Sequence, residues 1–151
     1  MESSSSPTRV LVVANKTAAT PALLQAVRER AARGPTTFTL LVPNTSSGFE
    51  RIADPEDHSD SDAQGTLELA LPLLEEAAGS EVTGMVGAPE PMDAIQDAVN
   101  LHGFDEIILS TLPTRVSRWL RLDLPHKVAG LGLPVTTVTA AGIEAETPAS
   151  A

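Results

Sequence analysis

The amino-acid sequence predicts an α/β fold: a single domain built on a doubly wound sheet of five parallel strands in the order 3-2-1-4-5, with helices on both faces. Three observations carry this. Short unbroken aliphatic runs such as "VLVVA" and "FTLLV" have the length and composition of strands buried on both faces. Segments with apolar residues at helical spacing separate these runs, as right-handed strand-helix-strand crossovers require. The chain has 151 residues, with no internal repeat and no second apolar core, which fits one domain.

Taken in order, Val10 to Ala14 form the first strand. Thr20 followed by Pro21 reads as an N-cap with proline at the first helical position, where its missing N–H costs nothing. Leu23, Leu24, Ala26, Val27 and Ala31 then recur at helical spacing until Gly34 and Pro35 stop the helix. Phe38 to Val42 supply the second strand, and residues 43–65 read as a flexible acidic insertion, longer than an ordinary connection. Its Asp54, Glu56, Asp57, Asp60 and Asp62 lack the glycine and distal glutamate of a calcium loop, so a solvated loop is expected and not a metal site. Thr66 to Gly79 form an amphipathic helix that Pro72 kinks or shortens. Glu81 to Val86 are the third strand, and a helix follows with Ile95, Ala98, Val99 and Leu101 inward, closed by Gly103. "EIILS" is the fourth strand; Pro125 starts a last helical piece that Gly130 and Gly132 end, and "PVTTVT" is the fifth strand. The serine-rich arm 1–7 and the tail 141–151 are expected to be disordered, leaving 8–140 as the domain.

Composition narrows the function. There is no cysteine, which removes disulfides, thiolate catalysis and cysteine metal sites, and fits a reducing compartment. The start carries no pattern of a secretory signal and no apolar run is long enough to span a bilayer, so a cytoplasmic location is expected, with no membrane partner. A formal net charge of -10 repels nucleic acid and anionic lipid. Four of the ten basic residues, Arg115, Arg118, Arg121 and Lys127, fall in one stretch after the fourth strand, the place where a local basic patch would form.

Ligands of doubly wound sheets bind outside the carboxyl ends of the strands, where the strand order reverses. Orders 2-1-3 and 3-2-1-4-5 both put that reversal beside the first strand, and the second sets the first and fourth strands side by side. Asn15 to Thr17 then face Ser110 to Thr114, two polar loops at the end of apolar strands, with Val42 and Pro43 as an apolar wall. Catalytic machinery is missing from this set: Lys16 is its ionisable group, no histidine is placed to activate Ser110, and no nucleophile-elbow motif surrounds it. His102 reads as a helix-end residue and His126 as a cap or surface residue.

The order "RVLVVANKT", "FTLLVPN", "VTGMVGAPEPMDAIQDAVNLHGFDEIILS" and "LPVTTVT" resembles the universal stress protein family over about residues 8 to 140. The resemblance implies the 3-2-1-4-5 sheet of the adenine nucleotide alpha hydrolase-like folds and a cytosolic domain linked to stress survival. It also implies a homodimer paired through the last strand, Val135 to Thr139, and binding of ATP or a related nucleotide such as AMP. On that resemblance Asn15 stands where nucleotide-binding members carry aspartate, Thr17 where serine or threonine is usual, Val42 where a backbone contact to adenine is expected, and Gly87 at the glycine after the third strand. The family's glycine-rich phosphate motif is not matched: without gaps its positions fall on Leu109, Leu112, Leu122 and Asp123. Glycine lets backbone N–H groups close on phosphate, whereas leucine blocks the approach and aspartate repels the anion.

The expectation is therefore a regulatory or protective binding protein with a degenerate nucleotide pocket, formed from Asn15, Thr17, Val42, Gly87, Ser110, Thr111, Arg115 and Arg118. Three alternatives stand beside it. The chain alternatively retains ATP or AMP binding through Asn15, Val42, Ser110 and the arginines; Arg115, Arg118 and Arg121 recur every third residue and either meet phosphate oxygens in place of the glycine loop or form a solvated face over Trp119 and Leu120. The chain is alternatively a hydrolase of a nucleotide or phosphate ester through Ser110 or Thr111. Trp119, Leu120, Leu122 and Leu124 beside the arginines are alternatively a docking surface for a lipid or protein partner.

Overall fold

A computed structural model describes residues 7–14, 18–44, 59–111, 119 and 123–139. Strands and helices alternate along them: β1 (Thr8–Val13), α1 (Pro21–Ala32), β2 (Thr36–Pro43), α2 (Ser59–Ala78), β3 (Val82–Gly87), α3 (Pro91–His102), β4 (Glu106–Thr111), α4 (Leu124–Ala129) and β5 (Val135–Thr139). The strands form one parallel sheet in the order β3-β2-β1-β4-β5, as the alternation requires.

The central strands are aliphatic because both of their faces are covered. Val10, Val12, Leu40 and Ile108 point into a layer made with Leu23 and Val27 of α1 and with Leu67 and Leu74 of α2. Their neighbours Leu11, Val13, Leu41, Ile107 and Leu109 point the other way, against Ile95 and Ala98 of α3, Leu124 and Val128 of α4, and Trp119. Burying each such leucine or isoleucine contributes on the order of 2 kcal/mol.

Local signals set the helix ends. The Thr20 hydroxyl accepts from the Leu23 N–H at 3.4 Å, with Pro21 opening α1. Gly103, at φ 76°, donates its N–H to the Val99 carbonyl at 2.9 Å and turns the chain from α3 into β4. Two tight approaches fix the helix-sheet spacing. A Cβ at Gly84 would lie 2.8 Å from Leu67 Cδ2, and one at Gly87 would lie 2.8 Å from both Ala94 Cβ and Leu41 Cδ1.

Three expectations change. The acidic insertion over 43–65 is shortened at both ends, since Pro43 belongs to β2 and α2 begins at Ser59. Ala63, Leu67, Ala70, Leu74 and Ala77 form one continuous buried stripe at helical spacing, so the apolar face of α2 starts ahead of Thr66. Pro72 does not end α2: it is exposed, and so is Glu68, whose carbonyl loses its helical donor to the proline. Leu101, expected inward, is 75% exposed because it lies in the last turn of α3, after the buried stripe of Pro91, Ala94, Ile95 and Ala98 has ended. The segments 1–6 and 140–151 lie outside the described residues.

A part-buried ion pair ties the first layer to the sheet. Arg30 Nε and Nη2 donate to the two carboxylate oxygens of Glu106 at 2.8 and 3.2 Å, joining the end of α1 to the start of β4. Replacing Glu106 with glutamine keeps the shape and removes the charge. We expect Glu106→Gln to lower unfolding stability by about 1–2 kcal/mol; an unchanged urea midpoint would show that the pair is not needed to hold α1 on the sheet.

Candidate functional site

The sheet order places the switch point between β1 and β4, whose ladder ends at Val13 and Leu109. β4 continues two residues further, through Ser110 and Thr111, which pair with Val138 and Thr139 of β5. Both are buried, at 1% and 2% exposure, at the end of a sheet whose other deeply buried residues are apolar. The Thr111 hydroxyl has no hydrogen-bond partner. A buried hydroxyl without a partner costs about 1–3 kcal/mol, so this end of the sheet carries unspent hydrogen-bonding capacity.

The expected site residues divide into two groups. Val42, Gly87, Ser110 and Thr111 are placed; Asn15, Thr17, Arg115 and Arg118 lie outside the described residues, as do Leu112 and Leu122. The structure thus brings Ser110 and Thr111 to the carboxyl end of β4, beside the end of β1. Leu109, on which the first glycine of the phosphate motif falls, is fully buried within β4 and paired with Val13 and Thr137. Asp123, on which the motif's hydroxyl position falls, is left-handed at φ 60° and starts α4, its carboxylate 3.3 Å from His126 Nδ1. Both members of that pair are exposed, so His126 is a surface residue. His102 ends α3, and its carbonyl accepts from the Arg9 guanidinium. Trp119 is buried in the layer with α3 and α4 and lines a cavity of about 30 Å³ with Pro91, Met92 and Leu124. That volume has room for about one water and none for a nucleotide. Among the described residues no group of three or more histidines or carboxylates is placed to hold a metal ion.

The carboxyl end of β2 holds a feature that the sequence pattern does not announce. In a parallel strand the N–H and C=O of one residue face the same neighbour, and successive residues face alternate neighbours. Ala14 N–H donates to the Leu41 carbonyl at 3.1 Å, and Thr8 N–H to the Pro35 carbonyl at 3.1 Å, so odd-numbered residues of this segment face β1. Asn44 N–H donates to the Gly87 carbonyl at 3.1 Å, so even-numbered residues face β3. Val42 accordingly directs its backbone to β3, in register with Val86, and its side chain is fully buried. The residue facing β1 at the end of β2 is Pro43, which has a carbonyl and no N–H. In register, residue 43 would donate to the Ala14 carbonyl; proline cannot, and the β1–β2 ladder stops at Val13 and Leu41.

The fold has solved relatives. A universal stress protein from Archaeoglobus fulgidus superposes with a TM-score of 0.62 at 16% identity, covering 86% of this chain and 92% of that one. A universal stress protein in complex with cAMP superposes with a TM-score of 0.58 at 16% identity, over 90% and 99% of the two chains. A protein known only as hypothetical gives 0.60 at 16% identity, over 91% and 98%. The fold is that of the universal stress proteins. No protein-family model and no curated protein matches the sequence.

Within this fold Gly87 has a packing reason of its own, since α3 lies against the spot a side chain would fill. We expect Gly87→Ala to cost about 1–3 kcal/mol of stability through overpacking. A variant as stable as the parent in urea would free Gly87 from that structural duty.

Proposed function

We propose that the chain is a universal stress protein-like regulatory or protective binding protein, cytoplasmic and homodimeric, that acts by holding a small ligand at the carboxyl ends of β1 and β4. The observation that carries this reading is the pair of buried residues Ser110 and Thr111 at the switch point of the sheet. A cAMP complex of a protein with the same fold supports a nucleotide as the kind of ligand. The pocket is degenerate toward triphosphates. Leucines occupy the motif's glycine positions and Asp123 its hydroxyl position, so bare backbone is not offered to a phosphate chain.

Binding to the native state must raise the melting temperature; at a ligand concentration a hundredfold above Kd the gain is about 2.7 kcal/mol. We expect AMP or cAMP to produce such a shift and ATP with magnesium to produce no larger one, with no phosphate released from ATP on long incubation. A magnesium-dependent shift with ATP well beyond that with AMP would contradict the degenerate pocket, and phosphate release would contradict a binding role.

The dimer is proposed through β5, an edge strand. Ile107 N–H donates to the Pro134 carbonyl at 2.9 Å, so even-numbered residues of this segment face β4 and Thr137 directs its N–H to the open edge. Thr137→Pro therefore removes an edge donor and leaves the β4–β5 ladder intact. Light scattering of this variant should give the monomer mass; an unchanged oligomer mass counts against pairing through β5.

A further inference from the structure

Among the described residues three large apolar side chains are exposed, and two of them, Leu69 and Leu73, stand one turn apart on α2, at 74% and 42% exposure. Pro72 lies beside them and is exposed as well. The inward stripe of this helix, Leu67, Ala70, Leu74 and Ala77, is complete without them, so the core gives no reason for leucine at these two positions. The surroundings of the patch have one sign. Glu68 and Glu76, one turn before and after Pro72, are both exposed, and from Ala63 to Glu81 the chain has acidic residues and no basic one. Pro72 also deprives the Glu68 carbonyl of its helical donor, which adds an acceptor to the same stretch.

We propose that this outward face of α2 docks a cationic amphipathic helix of a partner protein. Leucines at i and i+4 form a ridge, the shape that fits the groove between side chains of a second helix. Lysine or arginine at the margins of that helix meets Glu68 and Glu76. The same charges disfavour the other occupants of an apolar face. A second copy of the chain would set glutamate against glutamate across a two-fold axis, and an anionic lipid surface repels a chain of net charge -10. The surface is separate from the proposed dimer contact: α2 packs over β2 and β3, and β5 is the opposite edge of the sheet.

The test uses the full chain and three labelled synthetic peptides: a leucine-lysine helix with leucine at i, i+3, i+4 and i+7, the same peptide with glutamate for lysine, and a scrambled leucine-lysine peptide without helical period. Fluorescence anisotropy at physiological salt should show the cationic helix binding at least about tenfold more tightly than either of the others. Leu69→Gln with Leu73→Gln keeps every charge and replaces exposed side chains. It should leave the melting temperature unchanged and weaken the cationic helix at least about tenfold. Leu101→Gln, at the equally exposed leucine of α3, should not weaken it. Glu68→Gln with Glu76→Gln should weaken it and flatten its salt dependence. Equal binding of the scrambled peptide, or binding that survives the double leucine variant, would mean diffuse attraction to net charge and overturn the proposal, as would no binding of any peptide. An oligomer mass that falls in the double leucine variant would assign the face to a second copy. Anionic vesicles bound by the parent and not by that variant would assign it to a membrane, and either result overturns the partner helix.

Discussion

Everything in this molecule follows from a parallel sheet whose central strands are covered on both faces. β1 lies between β2 and β4 with Val10, Leu11, Val12 and Val13 all but inaccessible to water, so every backbone polar group along it has to be met by a neighbouring strand. That requirement is fulfilled along the length of the strands by the parallel ladders to β2 and β4. Two buried side-chain oxygens without a hydrogen-bond partner, Asn44 Oδ1 and the Thr111 hydroxyl, lie at the carboxyl ends of β2 and β4. The same constraint that builds the core chooses the place of the site.

The two ends of the sheet are treated differently. At the amino end the polar groups are consumed within the chain. Arg30 holds Glu106, the Asp105 carboxylate accepts from the Arg9 N–H at 2.8 Å, and the Arg9 guanidinium lies over the Phe104 ring, 5.8 Å from its centroid. These contacts fasten helices and strand entries and leave little for a ligand. At the carboxyl end Ser110 and Thr111 are buried, the Thr111 hydroxyl is unmet, and Pro43 has no N–H to give. One end has its polar groups paired within the chain; the other holds a buried hydroxyl that is not.

Much of the fold was legible because burial on both faces erases the polar alternation of strands, and runs such as Val10 to Val13 can then be little else. Thr20 with Pro21, and Gly103 after α3, were equally readable as chain punctuation. Leu101 was misjudged because helical spacing says which side a residue takes but not where the neighbouring layer stops. The start of α2 was missed although Ala63 continues the stripe of Leu67, Ala70 and Leu74, because alanine is a weak apolar signal among aspartates and serines. In the candidate site, Ser110 and Thr111 were visible as hydroxyls at the end of an apolar run. The part of Pro43 was not, since its meaning depends on which neighbour each backbone group of β2 faces, and that parity comes from pairing across strands far apart in sequence.

The central claim is one of place: a small ligand is met at the carboxyl end of the sheet. The direct measurement is an amide chemical-shift titration of isotopically labelled protein with AMP. The account predicts that the largest changes gather at Ala14, Asn44, Ser110 and Thr111. Changes gathered instead at Arg9, His102 and Asp105, on the far end of the same strands, would contradict it.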